Sequence, residues 1–338
     1  MPPTAAVPTL LADLGGTNVR FGIADPAREV PLLAESVRRY KVEDFESLAE
    51  AAKHYLKSTG LHAQRAVFAA AGRISDGQTV QITNNPWAIS ARTMQTELKL
   101  DSVHLVNDFA AQSMAVMLLQ PKDLVAVGKL PLPKLGAKEE QTFVIVGPGT
   151  GLGVGGLLLR GGKCSVLQTE GGHAGFAAHT AEDIEILKRL NQRYGRVSNE
   201  RLICGNGLVN LYGALCEIAG QAPEELKPED ITARASAGDA TCVQVVETFA
   251  GIFGSVAGDL VLTLGAWDGV YLTGGLVPIL LPWMDRGHFR ERFEAKGRFR
   301  DTMEQVPTQA IMNPEPGLIG AAALAIVESG GSLLHRHD

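Results

Sequence analysis

The sequence predicts an α/β protein made of two related halves, and three observations lead there. An apolar run (Leu10, Leu11, Leu14) enters the stretch Ala12-Asp13-Leu14-Gly15-Gly16-Thr17-Asn18, and an alternating run (Val19, Phe21, Ile23) leaves it, so one strand turns through Gly-Gly into another. A second copy lies further along. Phe143-Val144-Ile145-Val146 leads into Gly147-Pro148-Gly149-Thr150-Gly151-Leu152-Gly153, after which Val154 and Leu157 to Leu159 continue as a strand. Elsewhere short apolar runs are interleaved with stretches of helical spacing, and 338 residues leave room for two domains and a sizeable core.

Glycine tolerates the positive φ of tight turns, and the bare N–H groups of such a bend suit a phosphate. Thr17 and Asn18 add side-chain donors, while Asp13 offers a carboxylate that can hold a magnesium ion through water. An ordinary Gly-Gly hairpin is the competing reading of the first segment taken alone. Neither copy reads GxxxxGK(S/T) and neither opens a helix, so the P-loop and the dinucleotide fingerprint both fail. Two facing hairpin loops, one from each half, can grip a polyphosphate from both sides, which points to a nucleotide in the cleft of a duplicated domain.

Composition narrows the classes. A net charge of −6 without a basic cluster argues against nucleic acid as partner. The four cysteines (Cys164, Cys204, Cys216, Cys242) are scattered, with no CxxC pair, and read as reduced, mostly buried thiols of a cytoplasmic protein. The N-terminus lacks the charged-then-apolar layout of a signal peptide. Thr248 to Ala266 is apolar enough to raise a membrane span, but Asp259 and the glycines inside it favour a buried core helix.

Along the chain, Val30 to Tyr40 reads as a third strand and Phe45 to Thr59 as a helix ending at Gly60. Ala66 to Ala71 is a buried strand, Asp76-Gly77 a turn, and Ile82 to Trp87 a loop, because its Asn-Asn-Pro opposes regular structure. Ser90 caps a helix to about Leu98; Val103 to Val106 is a strand, succeeded by a helix over Phe109 to Leu119. Pro121 to Gln141 reads as an exposed loop near a domain junction. Helices are expected over Ala181 to Tyr194, capped by Thr180, from Ser198 through Arg201, and over Gly205 to Ala219. Gln221 to Asp230 reads as a connector, with Thr232 as the cap of the next helical segment. Cys242 to Leu264 is a long apolar helix, broken or tightly packed at Gly251, Gly254 and Gly258. Val270 to Leu276 is a strand into a third glycine corner, where Gly274-Gly275 could let a nucleoside lie flat against the backbone. Phe289 to Phe299 reads as a basic amphipathic helix with a solvated face, and Pro316-Gly317 opens the closing helix through Glu328.

Two clusters carry further chemistry. Asn107-Asp108 sits where a strand ends and a helix begins, the crevice in which α/β proteins bind ligands. As a pair they also suit an N-cap. Beside two phosphate loops, a carboxylate there can orient an attacking hydroxyl and accept its proton. Glu170-Gly171-Gly172-His173 can aim two polar side chains at one small ligand, or can be a structural turn with a satisfied histidine. Glu200 either joins that site or favours the helix dipole of its own first turn. No cysteine cluster or second nearby ligand supports zinc at His173 or His179.

Taken in order, Asp13 to Asn18, Thr83-Asn84 with Trp87, Asn107-Asp108-Phe109, Gly147 to Gly153, Glu170 to His173, Ser198 to Arg201 and Thr273 to Leu276 resemble the bacterial glucokinases, nearly end to end. That family belongs to the superfamily of hexokinase, actin and Hsp70-like ATPases. The resemblance implies a two-domain actin-like/hexokinase (ribonuclease H-like) α/β fold with its active site in the interdomain cleft. It implies a small domain of residues 1–118 plus about 318–338, a large domain of about 119–317, a homodimer, and ATP as phosphoryl donor to glucose at the head of glycolysis. Carried over residue by residue, the sugar ligands fall on Asn84, Asn107, Asp108, Glu170, His173 and Glu200, with Asp108 as the base. The nucleotide falls on Asp13, Gly15, Gly16, Thr17 and Asn18, on Gly147, Gly149, Thr150 and Gly151, and on Gly274 and Gly275, with magnesium at Asp13 through water.

The related repressor-and-sugar-kinase branch carries a cysteine-rich zinc motif after its Gly-Gly-His, and this chain has none. Pro148 stands where the family pattern has a small residue and removes one N–H from the second loop. Two alternatives share the loops: a kinase of another sugar or of a carboxylate, and a nucleotide-dependent sugar sensor. The first has no need of Glu170, His173 and Glu200. The second gains nothing from the stretch before Leu10, which carries no helix-turn-helix.

Overall fold

The computed structural model describes residues 7–72, 74–82, 86–132 and 134–334; the expected ligand Asn84 lies outside the described residues. The first half runs β1 (Thr9–Leu14), β2 (Asn18–Ala24), β3 (Arg38–Lys41), α1 (Leu48–Thr59), β4 (Arg65–Ala70), β5 (Ile74–Ser75), β6 (Thr79–Gln81), β7 (Ala88–Ser90), α2 (Ala91–Leu98), β8 (Ser102–Asn107) and α3 (Asp108–Ala115). Five of its strands form one sheet in the order β3-β2-β1-β4-β8, with β1 antiparallel to β2 and parallel to β4. Leu10 to Ala12 and Ala66 to Ala70 are buried as unbroken runs, as befits central strands covered on both faces.

The second half runs β9 (Leu124–Ala126), β10 (Glu140–Pro148), β11 (Leu152–Arg160), β12 (Lys163–Gln168), α4 (Ala181–Tyr194), α5 (Gly205–Ile218), α6 (Pro228–Ser236), α7 (Ala240–Leu264), β13 (Gly269–Leu272), α8 (Val277–Met284), α9 (His288–Glu294), α10 (Arg300–Met303), β14 (Thr308–Ile311) and α11 (Pro316–Glu328). Its sheet has the order β12-β11-β10-β13-β14-β9. Apart from the edge strand β9, both sheets have the same plan: an antiparallel three-strand meander, then two strands added in parallel to its first. The duplication expected from the two glycine hairpins is thus a duplication of topology.

Two helices lie between the sheets. Phe109 and Met114 of α3 share a core with Phe143, Ile145, Leu157 and Tyr271 of the second sheet and with Ala323 and Ile326 of α11. On their other side, Ala110 and Ala111 of α3 and Leu318, Ala321 and Ala322 of α11 pack with Leu11, Val67 and Val106 of the first sheet. The two helices touch backbone to backbone, since a Cβ at Gly320 would stand 1.6 Å from the Ala111 carbonyl oxygen.

Several expectations need correction. The third strand is only Arg38–Lys41, with a 3-10 turn at Ala34–Ser36 taking up most of the stretch expected to be extended. Helix α1 starts at Leu48, because Ser47 accepts from the Glu50 N–H and sets the boundary. Helix α3 ends at Ala115, short of Leu119. The expected loop over 121–141 contains β9, a three-residue strand whose pairing comes from β14 and not from its own propensity. Ser198 to Arg201 forms a single 3-10 turn at Asn199–Arg201. Thr232 lies inside α6, where its hydroxyl donates to Glu229 O at 3.0 Å, and Lys227 is the cap.

The basic helix is shorter and less solvated than expected. Phe289 and Phe293 are fully buried, and Arg292 pairs with the buried Asp183. Helix α7 is continuous, so its glycines serve packing: a Cβ at Gly254 would stand 2.0 Å from Phe289 O, and one at Gly258 2.6 Å from Phe293 O. Within its most apolar window α7 is 78% buried, so it is a core helix. Strands over 65–70 and 102–107, the Ser90 cap, the Thr180-capped α4 and the glycine stop at Gly60 all lie where the sequence places them.

Candidate active site

Asp13 is the next-to-last residue of β1, and the hairpin register sets it directly opposite Arg20 on β2. Arg20 Nη1 donates to Asp13 Oδ2 at 3.2 Å. The carboxylate is also roofed by the first turn of α11, where a Cβ at Gly317 would stand 2.5 Å from Asp13 Cγ. Burial raises the Asp13 pKa, and the neighbouring Arg20 charge pulls it back.

At the end of β8 the pair Asn107-Asp108 divides its labour. Asn107 is the N-cap: its Oδ1 accepts from the Phe109 and Ala110 N–H groups at 2.9 and 3.1 Å. Its Nδ2 donates to Gly72 O at 3.2 Å and to Asp108 Oδ1 at 3.1 Å, so a sugar hydroxyl would have to share or displace one of these. Asp108 is the first residue of α3 and stands half-buried at its mouth, where the Phe109 N–H also acts on its carboxylate. Burial pushes its carboxyl up to about 6, and the nearby charges of Asp13 and Glu170 push the same way. Asp13, Asp108 and Glu170, which come from different elements, therefore share one electrostatic neighbourhood.

The other polar side chains form a rim. The segment after β12 and the segment before α5 are zipped together: Asn199 N donates to Ala174 O at 2.9 Å, and Gly175 bridges to Ser198. His173 then sits between Glu170 and Glu200, with Nε2 4.0 Å from Glu170 Oε2 and Nδ1 3.9 Å from Glu200 Oε1. Glu170 and His173 are largely exposed, with side chains 74% and 59% accessible. Glu200 does not serve its own helix dipole. Its Oε2 accepts from Leu152 N at 2.9 Å, which ties the rim to the second glycine hairpin and leaves Oε1 facing His173.

Several glycines of the second hairpin are needed for a different reason than the sequence suggests. None of Gly15, Gly147, Gly149 and Gly151 takes a positive φ; among the corner residues only Gly274 does, at +93°. Close approach decides instead. A Cβ at Gly147 would stand 2.6 Å from Thr273 O, at Gly151 2.5 Å from Glu200 Oε2, at Gly153 2.0 Å from the Phe109 ring, and at Gly274 2.5 Å from Pro148 O. Gly149 and Gly275 face open space. Helix α3 is thereby seated on the second hairpin, and Gln112 Oε1 also accepts from the Thr273 hydroxyl at 3.0 Å.

In the first hairpin Gly15 N donates to Asn18 O at 3.0 Å, Asn18 Nδ2 donates to Thr17 Oγ1 at 2.9 Å, and Asn18 Oδ1 accepts from Arg39. In the second, Gly149 N is turned inward onto Gly151 O at 2.8 Å. Thr150 stands exposed at the tip between them. Sequence reasoning passed over Arg20, Gly317, Gly153 and Glu315. Arg20 was within reach, because counting outward from the turn pairs 14 with 19 and 13 with 20. The other three depend on contacts across the fold.

Two sheets of one repeated plan, two helices between them and carboxylates beside glycine hairpins define the class: a two-domain α/β protein of the actin-like, hexokinase type. The family model described as Glucokinase matches residues 10–327. A glucokinase of Stenotrophomonas maltophilia (strain K279a) is 53% identical over 318 residues, 94% of this chain and 95% of that protein. Among solved structures, a glucokinase from an Antarctic psychrotroph superposes with a TM-score of 0.84 at 32% identity, covering 94% of this chain and 98% of that one. A ROK family glucokinase from Streptomyces griseus, solved with glucose and AMPPNP, shares the fold at a TM-score of 0.64 and 19% identity, over 94% and 98% of the two chains. The chain belongs to the glucokinase family.

Proposed function

We propose that this protein transfers the γ-phosphoryl group of ATP to the 6-hydroxyl of glucose, with Asp108 as general base. The observation that supports the role of Asp108 is its place as first residue of α3, beside Asp13 and Glu170, with a carboxyl that burial pushes up to about 6 while Asn107 takes the cap bonds. A base with its pKa near the working pH balances being deprotonated against willingness to take a proton. The O6–Pγ bond forms as the bond from Pγ to the β-bridging oxygen breaks. ADP leaves with that electron pair, and the O6 proton passes to the Asp108 carboxylate.

Glu170, His173 and Glu200 are read as hydroxyl acceptors and donors for the sugar, with Asn107 holding Asp108 in place. Carboxylates accept charge-assisted bonds from sugar hydroxyls, and a site that leaves one such acceptor unpaired rejects the wrong epimer by orders of magnitude. Glu170 and His173 are open to water here, so that discrimination needs the two halves to close over the sugar, which also keeps water from competing as nucleophile. Asp13, Gly15, Gly16, Thr17 and Asn18 on one side and Gly147, Gly149, Thr150 and Gly151 on the other are read as the phosphate grip, with Gly274 and Gly275 at the adenosine. The hard oxygen donor of Asp13, charge-coupled to Asp108, suits magnesium held through water, which when bound offsets phosphate charge.

We read residues 1–118 plus about 318–338 as the small domain and about 119–317 as the large one, a division supported by the return of α11 to the first sheet. A cytoplasmic homodimer without nucleic-acid or membrane partner completes the reading; the net charge of −6 supports the absence of nucleic acid and the burial of α7 its place in the core. The test is a coupled assay of purified protein with glucose, ATP and magnesium, run beside Asp108→Asn. The variant is expected to lose at least about a hundredfold in kcat while still binding glucose. Near-normal turnover would remove Asp108 from the role, and a hexose and acetate panel would expose a different acceptor.

A further inference from the structure

Arg20 has a second partner besides Asp13. Its Nε lies 3.1 Å from Glu315 Oε2, in the residue that precedes α11. The approach is off-line, so neither atom completes a hydrogen bond among the described residues, and what holds them is charge. Both side chains are mostly shielded, at 30% and 25% accessible. Glu315 is also among the residues lining a cavity of about 390 Å³, with Leu32, Leu118, Lys122 and Ile319. Arg20 is the ion-pair partner of the Glu315 carboxylate, and the charge of Arg39 also acts on it.

The elements this pair joins are the ones that place the reacting groups. Glu315 leads into the turn whose Gly317 lies on the Asp13 carboxylate, and one turn later Gly320 meets the backbone of α3 at Ala111. Asp108 is the first residue of α3. We propose that Asp13, Arg20 and Glu315 form a positioning relay that sets the first glycine hairpin and helix α11 in register with Asp108, and that Arg20 and Glu315 are positioning residues for phosphoryl transfer. The proposal rests on the kinase reading above. Arg20 suits the task because its planar fork reaches two carboxylates at once, which a lysine ammonium does less well.

The relay lies on the Asp13 side of the site, while the rim of Glu170, His173 and Glu200 is held by the zipped segments and the second hairpin. Its loss should act on kcat and on the magnesium-nucleotide, and leave glucose affinity alone. Arg20→Met is expected to lower kcat about 10- to 100-fold, the usual size of effect for residues that orient ligating groups, with Arg20→Lys recovering part of the loss. Glu315→Gln leaves the Asp13–Arg20 pair in the hairpin and is expected to cost about 10-fold in kcat. Glucose binding to each variant without nucleotide, measured by titration calorimetry, should stay within about twofold of wild type; the same method reads the weakened affinity for magnesium-ADP.

Glu315→Gln with wild-type kcat and wild-type magnesium-ADP affinity would overturn the relay, and would make Arg20 a phosphate ligand in its own right if Arg20→Met were still impaired. Glucose affinity lost along with kcat in all three variants would also overturn it, pointing to general damage. Should Arg20→Met fail to fold, Arg20→Lys and Glu315→Gln decide the matter. An inactive wild-type enzyme, or an active Asp108→Asn, would instead mark failure of the kinase reading.

Discussion

Set side by side, the two glycine hairpins share their ladders but not their turns, which hold four residues in the first (15–18) and three in the second (149–151). The last pairs of the ladders are Leu14 with Val19 and Pro148 with Leu152; the next pairs inward are Asp13 with Arg20 and Gly147 with Gly153. Where the first hairpin puts two opposite charges, the second puts two residues without side chains. The charged pair meets the entry of α11 through Glu315 and Gly317. The bare pair admits Thr273 on one strand and the ring of Phe109 on the other. One plan of strand pairing thus carries two kinds of contact: charge pairs at the first hairpin, close packing at the second. A duplicated topology constrains where a position lies and leaves open which interaction occupies it.

The largest effect expected from breaking the shape side is at Gly153. A methyl group there meets the Phe109 ring, so Gly153→Ala should cost about 1–3 kcal/mol in urea unfolding. Because α3 carries Asp108, a displacement of that helix should also cost about a hundredfold in kcat. If both quantities stayed at wild type, the second hairpin would not be what seats the helix.

The charge side is sharpened by pH. Asp108 must be ionised to accept a proton, so kcat/KM should rise as pH passes upward through about 6 and level off above it. The stability sign comes from the same raised pKa. The folded state holds that proton more tightly than the unfolded chain, so Asp108 contributes stability below the ordinary carboxylate range, and this is lost as pH climbs through about 6. Asp108→Asn should therefore be more stable than wild type at pH 8, by up to about 3 kcal/mol, and no more stable at pH 3. A thermal melt of the two proteins at both pH values checks this; equal stability at pH 8 would mean that ionised Asp108 carries no desolvation cost.

Gly151→Ala tests the link between loop and rim. Its methyl would crowd Glu200 Oε2 off the Leu152 N–H, and the glucose KM should rise about tenfold, the worth of one charged hydrogen bond. The smallest effects belong to Gly15 and Gly149. A Cβ at Gly15 finds only an ordinary contact at 3.7 Å and one at Gly149 finds nothing within 4 Å, so alanine at either should leave unfolding free energy within about 0.5 kcal/mol. A large loss at Gly149 together with a silent Gly151→Ala would reverse the assignment of which glycines are needed for space.

Local pattern sufficed for the strands and caps whose causes are local. Ser90 and Thr180 bond their own helices, Gly60 ends α1 with a left-handed residue, and the apolar run at 143–146 is a strand wherever it is put. It failed at β9, whose three residues become a strand only because β14 offers an edge, and at 289–294, where two phenylalanines and two arginines face the interior of a helix layer. That Asp13, Asp108 and Glu170, and His173 between Glu170 and Glu200, lie near one another follows the grouping their residue types and order suggest. Which of Asn107 and Asp108 caps the helix was not legible, since both can, and only the fold shows Asn107 taking the bonds.

What this chain's residues determined unaided was the repeated strand-glycine-strand pattern, the helices with their own caps, and the family to which that ordered set points; these depend on neighbours within a few positions. Tertiary structure alone decided that Gly147, Gly151 and Gly153 answer to close neighbours and not to φ, that Asn107 takes the cap bonds of α3, and that Arg20 reaches Glu315 nearly three hundred positions away. Those facts are set by distances between elements that no local periodicity encodes, because close packing brings together residues whose separation along the chain has no bearing on their separation in space.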